Sequence, residues 1–169
     1  MSRLESSTIL QQSQDFYLSA MTEHDLLEVV EIEEASGLSR WGWEAYHAEL
    51  SEGSDALMFV ARGRGGETGR PSGGSVKGFI ASRLIANEVH VNNVAVRDED
   101  RRQGIGQALL LRVIEEGRRL GAQLAFLEVR ASNGIAQSLY ERCGFKVNGI
   151  RRNYYSDPVE DALVMSRTI

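Results

Sequence analysis

The sequence predicts an α/β fold of the mixed α+β kind, in which helices flank a central sheet of parallel and antiparallel strands. The predicted elements run in the order strand, two helices, three strands, helix, strand, helix and two strands. Three successive strands without an intervening helix predict antiparallel hairpins. The strand–helix–strand unit across residues 88–130 predicts a right-handed parallel crossover. A chain of 169 residues suits a single domain built on one such sheet.

The first third of the chain is predicted to contain one strand and two helices. Residues 16–21 alternate weakly between apolar and polar, which predicts a strand. Thr22 and Asp25 have the spacing of a capping box, and apolar residues then recur at helical intervals, which predicts a helix over 23–35. An aromatic turn precedes a second, short helix over 44–50.

The rest of the chain supplies the other strands and helices. The clearest helix is predicted over 103–121, where Leu109, Leu110, Val113 and Ile114 form one apolar stripe. A second helix is predicted over 133–143. Strands are predicted over 56–62, 76–85, 88–96, 123–130, 145–153 and 162–166.

The domain organisation follows from these elements. Residues 1–14 are polar and are interpreted as a flexible N-terminal tail, and residues 15–169 as one domain. Residues 63–75 contain many glycines and no apolar anchor, so we interpret them as a mobile loop.

Composition narrows the function classes. No apolar run approaches the ~18 residues that span a bilayer, and the N-terminus lacks the apolar segment of a signal peptide. A lone cysteine, Cys143, excludes an intrachain disulfide. We therefore expect a cytoplasmic protein without a membrane partner. The formal net charge of −5 disfavours direct nucleic-acid binding, which requires a basic face. The sequence leaves the oligomeric state open.

A glycine-containing turn stands between a predicted strand and the strongest helix. It runs from Arg101 to Gly106. The free amides of a helix's first turn attract anions, and glycines let a ligand approach the backbone closely, so the turn suits a phosphate or diphosphate. The sequence contains no P-loop motif, and a dinucleotide-binding fingerprint would need a third glycine where Leu109 stands.

Four segments together resemble one known family. They are the R-x-x-G-x-G of residues 101–106, which follows the strand 91–96, the N-x-x-A-x-x-L-Y-x-x-x-G-F of residues 133–145, the LEVRASN of residues 127–133, and residues 151–165. These resemble the GNAT superfamily of N-acetyltransferases, and within it the RimI-like subgroup. The resemblance covers about residues 15–168 and is strongest from 91 to 165.

The resemblance implies the GNAT fold, with a splayed mixed sheet, and acetyl-CoA as the cosubstrate. It implies no metal, and the three histidines have no metal-ligand spacing. The implied coenzyme contacts lie on the strand before the turn, on the turn itself and on the helix that follows it; they are Val94, Ala95, Val96, Arg101, Arg102, Gln103, Gly104, Ile105, Gly106, Gln107, Asn133 and Tyr140. Asn133 also has the position of a helix N-cap.

Two residues are implied to be catalytic. Glu128 is a carboxylate in an apolar strand, and burial is expected to raise its pKa. The resemblance makes it the general base; the alternative is a buried ion pair with Arg130 or another basic residue. Tyr140 lies on the apolar stripe of its helix, where simple core packing is the alternative. The resemblance makes its hydroxyl the acid that meets the leaving thiolate.

The implied reaction is direct transfer of an acetyl group to the α-amine of a protein N-terminus. In the RimI-like subgroup this is the N-terminal alanine of protein eighteen of the small ribosomal subunit. Trp41 and Trp43 either wall a peptide groove or anchor the two helices, and Arg151, Tyr154 and Tyr155 match a substrate-side segment. The alternatives are a GNAT enzyme for another N-terminus, a lysine or a small amine, and a non-catalytic acyl-CoA sensor.

Overall fold

The structure is a computed structural model that describes residues 15–64 and 74–169. The predicted tail 1–14 and most of the predicted loop 63–75 lie outside the described residues. Within them the chain forms four helices and seven strands. The helices are α1 (Leu26–Ala35), α2 (Gly42–Glu52), α3 (Ile105–Arg119) and α4 (Gly134–Arg142); the strands are β1 (Phe16–Ala20), β2 (Ala56–Gly63), β3 (Val76–Ile85), β4 (Glu88–Val96), β5 (Leu124–Arg130), β6 (Lys146–Ser156) and β7 (Val159–Thr168).

The sheet is mixed and splayed, as predicted. Its strand order is β1-β2-β3-β4-β5-β7-β6, and every neighbouring pair is antiparallel except β4 and β5. The parallel pairing of β4 with β5 ends at Val91 and Leu127, although the strands continue to Val96 and Arg130. The edge of β4 beyond Val91 therefore has no strand partner on the β5 side, and a gap opens in the middle of the sheet.

Helices cover both faces of the sheet. The apolar residues of α1 and α2 pack on one face, around Leu26, Ile32 and Tyr46. Those of α3 and α4 pack on the other face, which contains the predicted stripe of α3. Most residues of β2 and β3 are thus buried on both faces, whereas alternate residues of β4 and β5, where the strands diverge, stay half-buried.

Glycine brings α3 close to the sheet at one position. A Cβ at Gly117 would lie 2.4 Å from Cγ2 of the buried Val89 on β4. Glycine at position 117 therefore allows α3 to lie closer to β4 than a residue with a side chain would.

The predicted order of elements is confirmed, and the differences are at element ends. The last two strands are longer than predicted because β6 is an edge strand, exposed along most of its length and rich in polar residues. Such a strand lacks the apolar alternation that marks a half-buried one. Helix α3 begins later than predicted, because Gly104 has a left-handed φ of 81° and acts as its N-cap.

A buried ion pair ties β2 to the start of α1. Arg62 donates to both carboxylate oxygens of Asp25, at 2.6 and 2.7 Å. The amide of Thr22 donates to Asp25 Oδ2 at 2.8 Å, which is one of the hydrogen bonds of the predicted capping box.

None of the helices in the described ranges has the length and apolar composition needed to span a bilayer.

Candidate active site

The gap between β4 and β5 forms a cleft of about 180 Å³. Its walls come from the α1–α2 connection, β4, β5, the start of α4 and the end of β6. The cleft brings together seven residues predicted for the site: Trp41, Val94, Glu128, Asn133, Tyr140, Tyr154 and Tyr155. It also contains His90, for which no site role was predicted.

A β-bulge lies on β4 at the mouth of the splay. Ala81 on β3 pairs with Asn93, and the next residue, Ser82, pairs with Val91. Asn92 is therefore an extra residue, and a bulge of this kind turns backbone groups away from the regular ladder. Asn92, Asn93 and Val94 all line the cleft. Ala95 and Val96 continue the same strand towards the glycine turn.

The start of α3 fits the diphosphate of a coenzyme. Gly104 offers no side chain to cap the helix, and the first turn contains no acidic residue. The amides there remain available to an anion. Ile105 is buried in the core, so it can contact a ligand only through its backbone. A Cβ at Gly106 would lie 3.0 Å from Leu139 Cδ2, so glycine at this position lets α3 and α4 approach each other.

The remaining predicted coenzyme contacts lie at the rim of this turn. Arg101, Arg102 and Gln103 are exposed, and Arg101 pairs with Asp98 at 2.9 Å. Gln107 lines a different, open hollow of about 700 Å³ between α3, α4 and the last two strands, and that hollow contains neither Glu128 nor Tyr140. Gln107 is thus the predicted coenzyme residue that the structure separates most clearly from the cleft.

Glu128 lies on β5 facing the cleft with a side chain that is only 6% exposed. His90 Nε2 lies 2.9 Å from its Oε2. Arg151 Nη1 lies 3.5 Å from its Oε1, which is too far for a strong hydrogen bond. Oε1 is buried and has no hydrogen-bond partner among the described residues. One carboxylate oxygen is therefore hydrogen-bonded by the protein, and the other has only the Arg151 guanidinium near it.

The predicted direction of the Glu128 pKa is wrong. Its hydrogen bond with His90 lowers the pKa below the ordinary value, burial raises it by less, and the charges of His90 and Arg151 lower it further. Burial alone was the basis of the expectation, and the partners outweigh it. Of the alternative ion pairs, the one with Arg130 is not formed, because Arg130 bonds to the carbonyls of Asp157 and Pro158 and to Glu160. The basic residues beside Glu128 are instead His90 and Arg151.

His90 is the site residue that sequence reasoning missed. It lies on β4 opposite Phe126 in the parallel register, and the two rings stack with centroids 4.3 Å apart. Glu128 follows Phe126 by two residues on the same face of β5. A parallel alignment of the predicted strands β4 and β5 places position 90 near position 128. Such an alignment could therefore have indicated the contact between His90 and Glu128.

Tyr140 and Asn133 enter the cleft from α4. Tyr140 is buried, and its ring meets Phe145 edge-on. Burial raises the pKa of its phenol, and so, to a smaller extent, does Tyr155. Asn133 is the N-cap of α4, as predicted, because its Oδ1 accepts from the amide of Ala136 at 3.1 Å.

Among the residues predicted on the substrate side, Trp43 is the one that lies away from the cleft and from Glu128. Trp41 lines the cleft and packs on Tyr46. Arg151 lies over the ring of Tyr154 and reaches Glu128, and Tyr155 meets Tyr154 edge-on. Trp43 is outside the cleft, stacked on His47 with centroids 4.6 Å apart. Of the two alternatives for the tryptophans, the groove wall thus suits Trp41 alone.

Comparison with known proteins identifies the class. The sequence profile described as the acetyltransferase (GNAT) family matches residues 26–145. The chain belongs to the GNAT family of acetyltransferases. It is an N-acetyltransferase that uses acetyl-CoA, and the free amides at the start of α3 suit that coenzyme. Among the described residues, no group of three or more His, Cys, Asp or Glu side chains is arranged to hold a metal.

Individual relatives are more specific. The chain is 34% identical to a putative [ribosomal protein bS18]-alanine N-acetyltransferase of Bacillus subtilis, over 88% of this chain and 93% of the relative. It is 42% identical to the [ribosomal protein bS18]-alanine N-acetyltransferase of Escherichia coli K12, over 57% of this chain and 66% of the relative. A crystal structure of the Escherichia coli ribosomal-protein-S18-alanine N-acetyltransferase superposes with a TM-score of 0.75 at 31% identity, covering 91% of this chain and 94% of that one.

Proposed function

We propose that this enzyme acetylates the α-amino group of an N-terminal alanine, with ribosomal protein bS18 as its protein substrate. The names of the Bacillus subtilis and Escherichia coli relatives support the choice of substrate. The observation that carries the chemistry is the buried Oε1 of Glu128, which faces the cleft at the splay without a hydrogen-bond partner among the described residues. A buried acceptor of this kind costs free energy unless a ligand satisfies it, and an amine is a donor.

The coenzyme half of the site lies along β4 and the start of α3. The unpaired edge of β4 from Asn92 to Val96 can bind an extended pantetheine arm as a further strand would be bound. The amides that follow Gly104 would hold the diphosphate, with Arg101 and Arg102 adding positive charge at the rim. Acetyl-CoA supplies the activated acetyl group as a thioester.

The amine half of the site is organised by Glu128 and His90. The lowered pKa keeps Glu128 ionised at neutral pH, so its Oε1 can accept a hydrogen bond from the incoming amine and orient it. An α-amine has an ordinary pKa of about 7.7–8.0, so part of it is already neutral near pH 7 and only a mild base is needed. His90 holds the other oxygen and fixes the direction of the carboxylate.

The amine attacks the thioester directly, without an acyl-enzyme. Cys143 is buried at the end of α4, and burial raises the pKa of its thiol, which makes it a poor nucleophile. Tyr140 remains protonated because burial raises its pKa, so its hydroxyl can donate to the departing thiolate. Glu128 on β5 is thus proposed to accept a proton, and Tyr140 on α4 to donate one, in the same cleft.

The choice of alanine as the first residue rests on the names of the relatives, and the cleft that would receive it is small, about 180 Å³. Trp41, Tyr154 and Tyr155 supply aromatic walls for the peptide that follows. A ribosomal-protein substrate would place the reaction in the cytoplasm.

Mass spectrometry of peptides incubated with the enzyme and acetyl-CoA tests the proposal. One peptide begins with alanine and contains an internal lysine; its matched control has the same sequence with a blocked N-terminus. We expect one acetyl group on the first peptide, at its terminal residue, and none on the control. Acetylation of the blocked peptide would indicate a lysine enzyme, and coenzyme binding without transfer to either peptide would indicate a sensor; each result contradicts the proposal. Peptides that begin with serine or methionine define the preference for the first residue.

A further inference from the structure

Glu33 is a buried carboxylate that takes no part in the chemistry proposed for Glu128 and Tyr140. Glu33 is on α1 and is fully buried. Its oxygens accept from the amides of Trp41 and Gly42, at 2.8 and 3.0 Å, and from the hydroxyl of Tyr46 at 2.7 Å. Asn93 Nδ2 completes the set, at 3.3 Å from the carboxylate and 2.8 Å from the Tyr46 oxygen.

This network joins two helices that are neighbours in sequence to a strand that is 60 positions away. The amides of Trp41 and Gly42 are at the start of α2, so the carboxylate caps that helix where negative charge is favoured. Asn93 belongs to β4, next to the extra residue of the bulge. Helix α1, helix α2 and the bulged strand are therefore fixed relative to each other at one buried point.

Both ends of the network are walls of the cleft. Trp41 lines one side, and Asn93 lines the strand along which the coenzyme is expected. The connection between α1 and α2, from Ser36 to Ser39, also lines the cleft, and Gly37 and Ser39 in it are exposed to solvent. A short exposed connection has few packing contacts of its own, so the point at which it is anchored decides where its residues lie.

We propose that Glu33 is a positioning residue for the peptide substrate, which holds the connection Ser36–Trp41 at the distance from β4 that the peptide N-terminus requires. This inference rests on the proposed function, because it assigns the peptide to this side of the cleft. Glu33 touches neither substrate; it acts through Trp41 and Asn93. Its loss changes the binding of the peptide and leaves the coenzyme turn at Gly104 intact, since α3 lies on the other face of the sheet.

The test is a kinetic comparison of Glu33→Gln with a matched control, Glu49→Gln. Glu49 is also a buried carboxylate in the α1–α2 layer, but it pairs with Arg83 away from the cleft. For Glu33→Gln we expect kcat/KM for the peptide to fall about 10- to 100-fold, mainly through KM, because a hydrogen-bonded charge is lost and an amide group then faces backbone donors. The dissociation constant of acetyl-CoA should stay within about two-fold. Glu49→Gln should leave both constants near wild type.

A milder variant covers the case in which Glu33→Gln does not fold. Tyr46→Phe removes one donor and keeps the carboxylate, and we expect the same change in KM on a smaller scale. Unchanged peptide kinetics in both variants, or a parallel loss of acetyl-CoA binding, would overturn the inference.

Hydrogen exchange separates this inference from the proposed function. The amides of Trp41 and Gly42 should exchange faster in Glu33→Gln than in wild type, whatever the substrate is. Faster exchange together with a wild-type enzyme that acetylates no N-terminal peptide would refute the function and, with it, the peptide role, while confirming the anchor. Unchanged exchange would refute the anchor while leaving the function intact.

Discussion

His90 and Glu128 are joined across the two parallel strands at the splay, with Nε2 and Oε2 2.9 Å apart. The contact leaves the second carboxylate oxygen of Glu128 buried and without a hydrogen-bond partner among the described residues. It also lowers the pKa of Glu128, so the group is ionised where an α-amine begins to lose its proton. The contact between His90 and Glu128 thus sets the orientation and the ionisation of the carboxylate of the proposed base, and one carboxylate oxygen keeps no hydrogen bond.

Replacement of Glu128 by glutamine should lower kcat/KM for the peptide by about 10²–10⁴-fold. The variant keeps the size of the side chain and removes its charge, so the incoming amine loses the group that can take up its proton. The affinity for acetyl-CoA, measured by calorimetry, should remain close to wild type because the start of α3 is unchanged. Wild-type turnover in this variant would exclude Glu128 from the reaction.

Two substitutions of His90 separate its hydrogen bond from its ring. His90→Phe removes the leading cause of the lowered Glu128 pKa, whereas His90→Gln keeps a donor at the end of the side chain. Arg151 is the other charged group that lowers this pKa, and it is present in both variants.

A base with a lowered pKa stays active as pH falls, until the pH passes that pKa. Below about pH 7.7–8.0 both profiles fall because the peptide α-amine is protonated, and the additional, steeper fall that reports protonation of Glu128 should begin at higher pH in His90→Phe than in His90→Gln. Profiles from about pH 4 to 9 measure this difference. Because neither variant has an imidazole at position 90, a shift between them does not come from titration of that side chain. Coincident limbs would show that the contact with His90 does not control Glu128.

Tyr140→Phe should lower kcat by about 10²-fold or more and leave KM for the peptide nearly unchanged. The hydroxyl is assigned to the departing thiolate, so its contribution appears in the transition state and not in substrate binding. Burial raises the pKa of this phenol, and we therefore expect no loss of activity from its ionisation at mildly alkaline pH. A variant with wild-type kcat would reduce Tyr140 to the core-packing role that its apolar helix face also allows.

The order of elements was predictable because each strand and helix carries its own pattern. The stripe of Leu109, Leu110, Val113 and Ile114 is local information, and so is the glycine turn before it. The ends of β6 were not predictable, since an exposed edge strand has no buried face to impose alternation.

The residues that form the site were easier to predict than the contacts that these residues make. Glu128, Tyr140 and Asn133 were found through a resemblance, and the structure brings them to one cleft. The pKa of Glu128 and the network of Glu33 depend on partners from distant segments: His90 is 38 positions from Glu128, and Asn93 is 60 positions from Glu33. Spacing along one element carries no information on such contacts, so they need the register between elements.

Gly104→Val should weaken the binding of acetyl-CoA by about 10-fold. Gly104 has a φ of 81°, a conformation that costs a residue with a side chain roughly 1–2 kcal/mol. A Cβ at position 104 meets no protein atom within 4 Å, so the effect comes from the re-aimed amides of the turn and from the side chain entering the space of the diphosphate.

The matched control for this substitution is Gly121→Val, at the other end of α3. Gly121 has a φ of 92° and open space around its Cβ position, so it imposes similar strain away from the coenzyme. The dissociation constant of acetyl-CoA should rise for Gly104→Val alone. An equal change in both variants would indicate that general strain, and not the turn, controls coenzyme binding.

Gly117→Ala should lower the free energy of unfolding by about 1–3 kcal/mol, as overpacking of a core does. The new methyl group would lie 2.4 Å from Cγ2 of Val89, and that β-branched side chain is fully buried and has little rotamer freedom. The gain of roughly 0.5–1 kcal/mol from alanine in a helix offsets only part of this cost. Gly134→Ala, at the start of α4, adds the same methyl group where no protein atom lies within 4 Å, and it should leave the stability equal or slightly higher. Urea unfolding of both variants measures the difference, and equal midpoints would show that α3 can move away from β4 without cost.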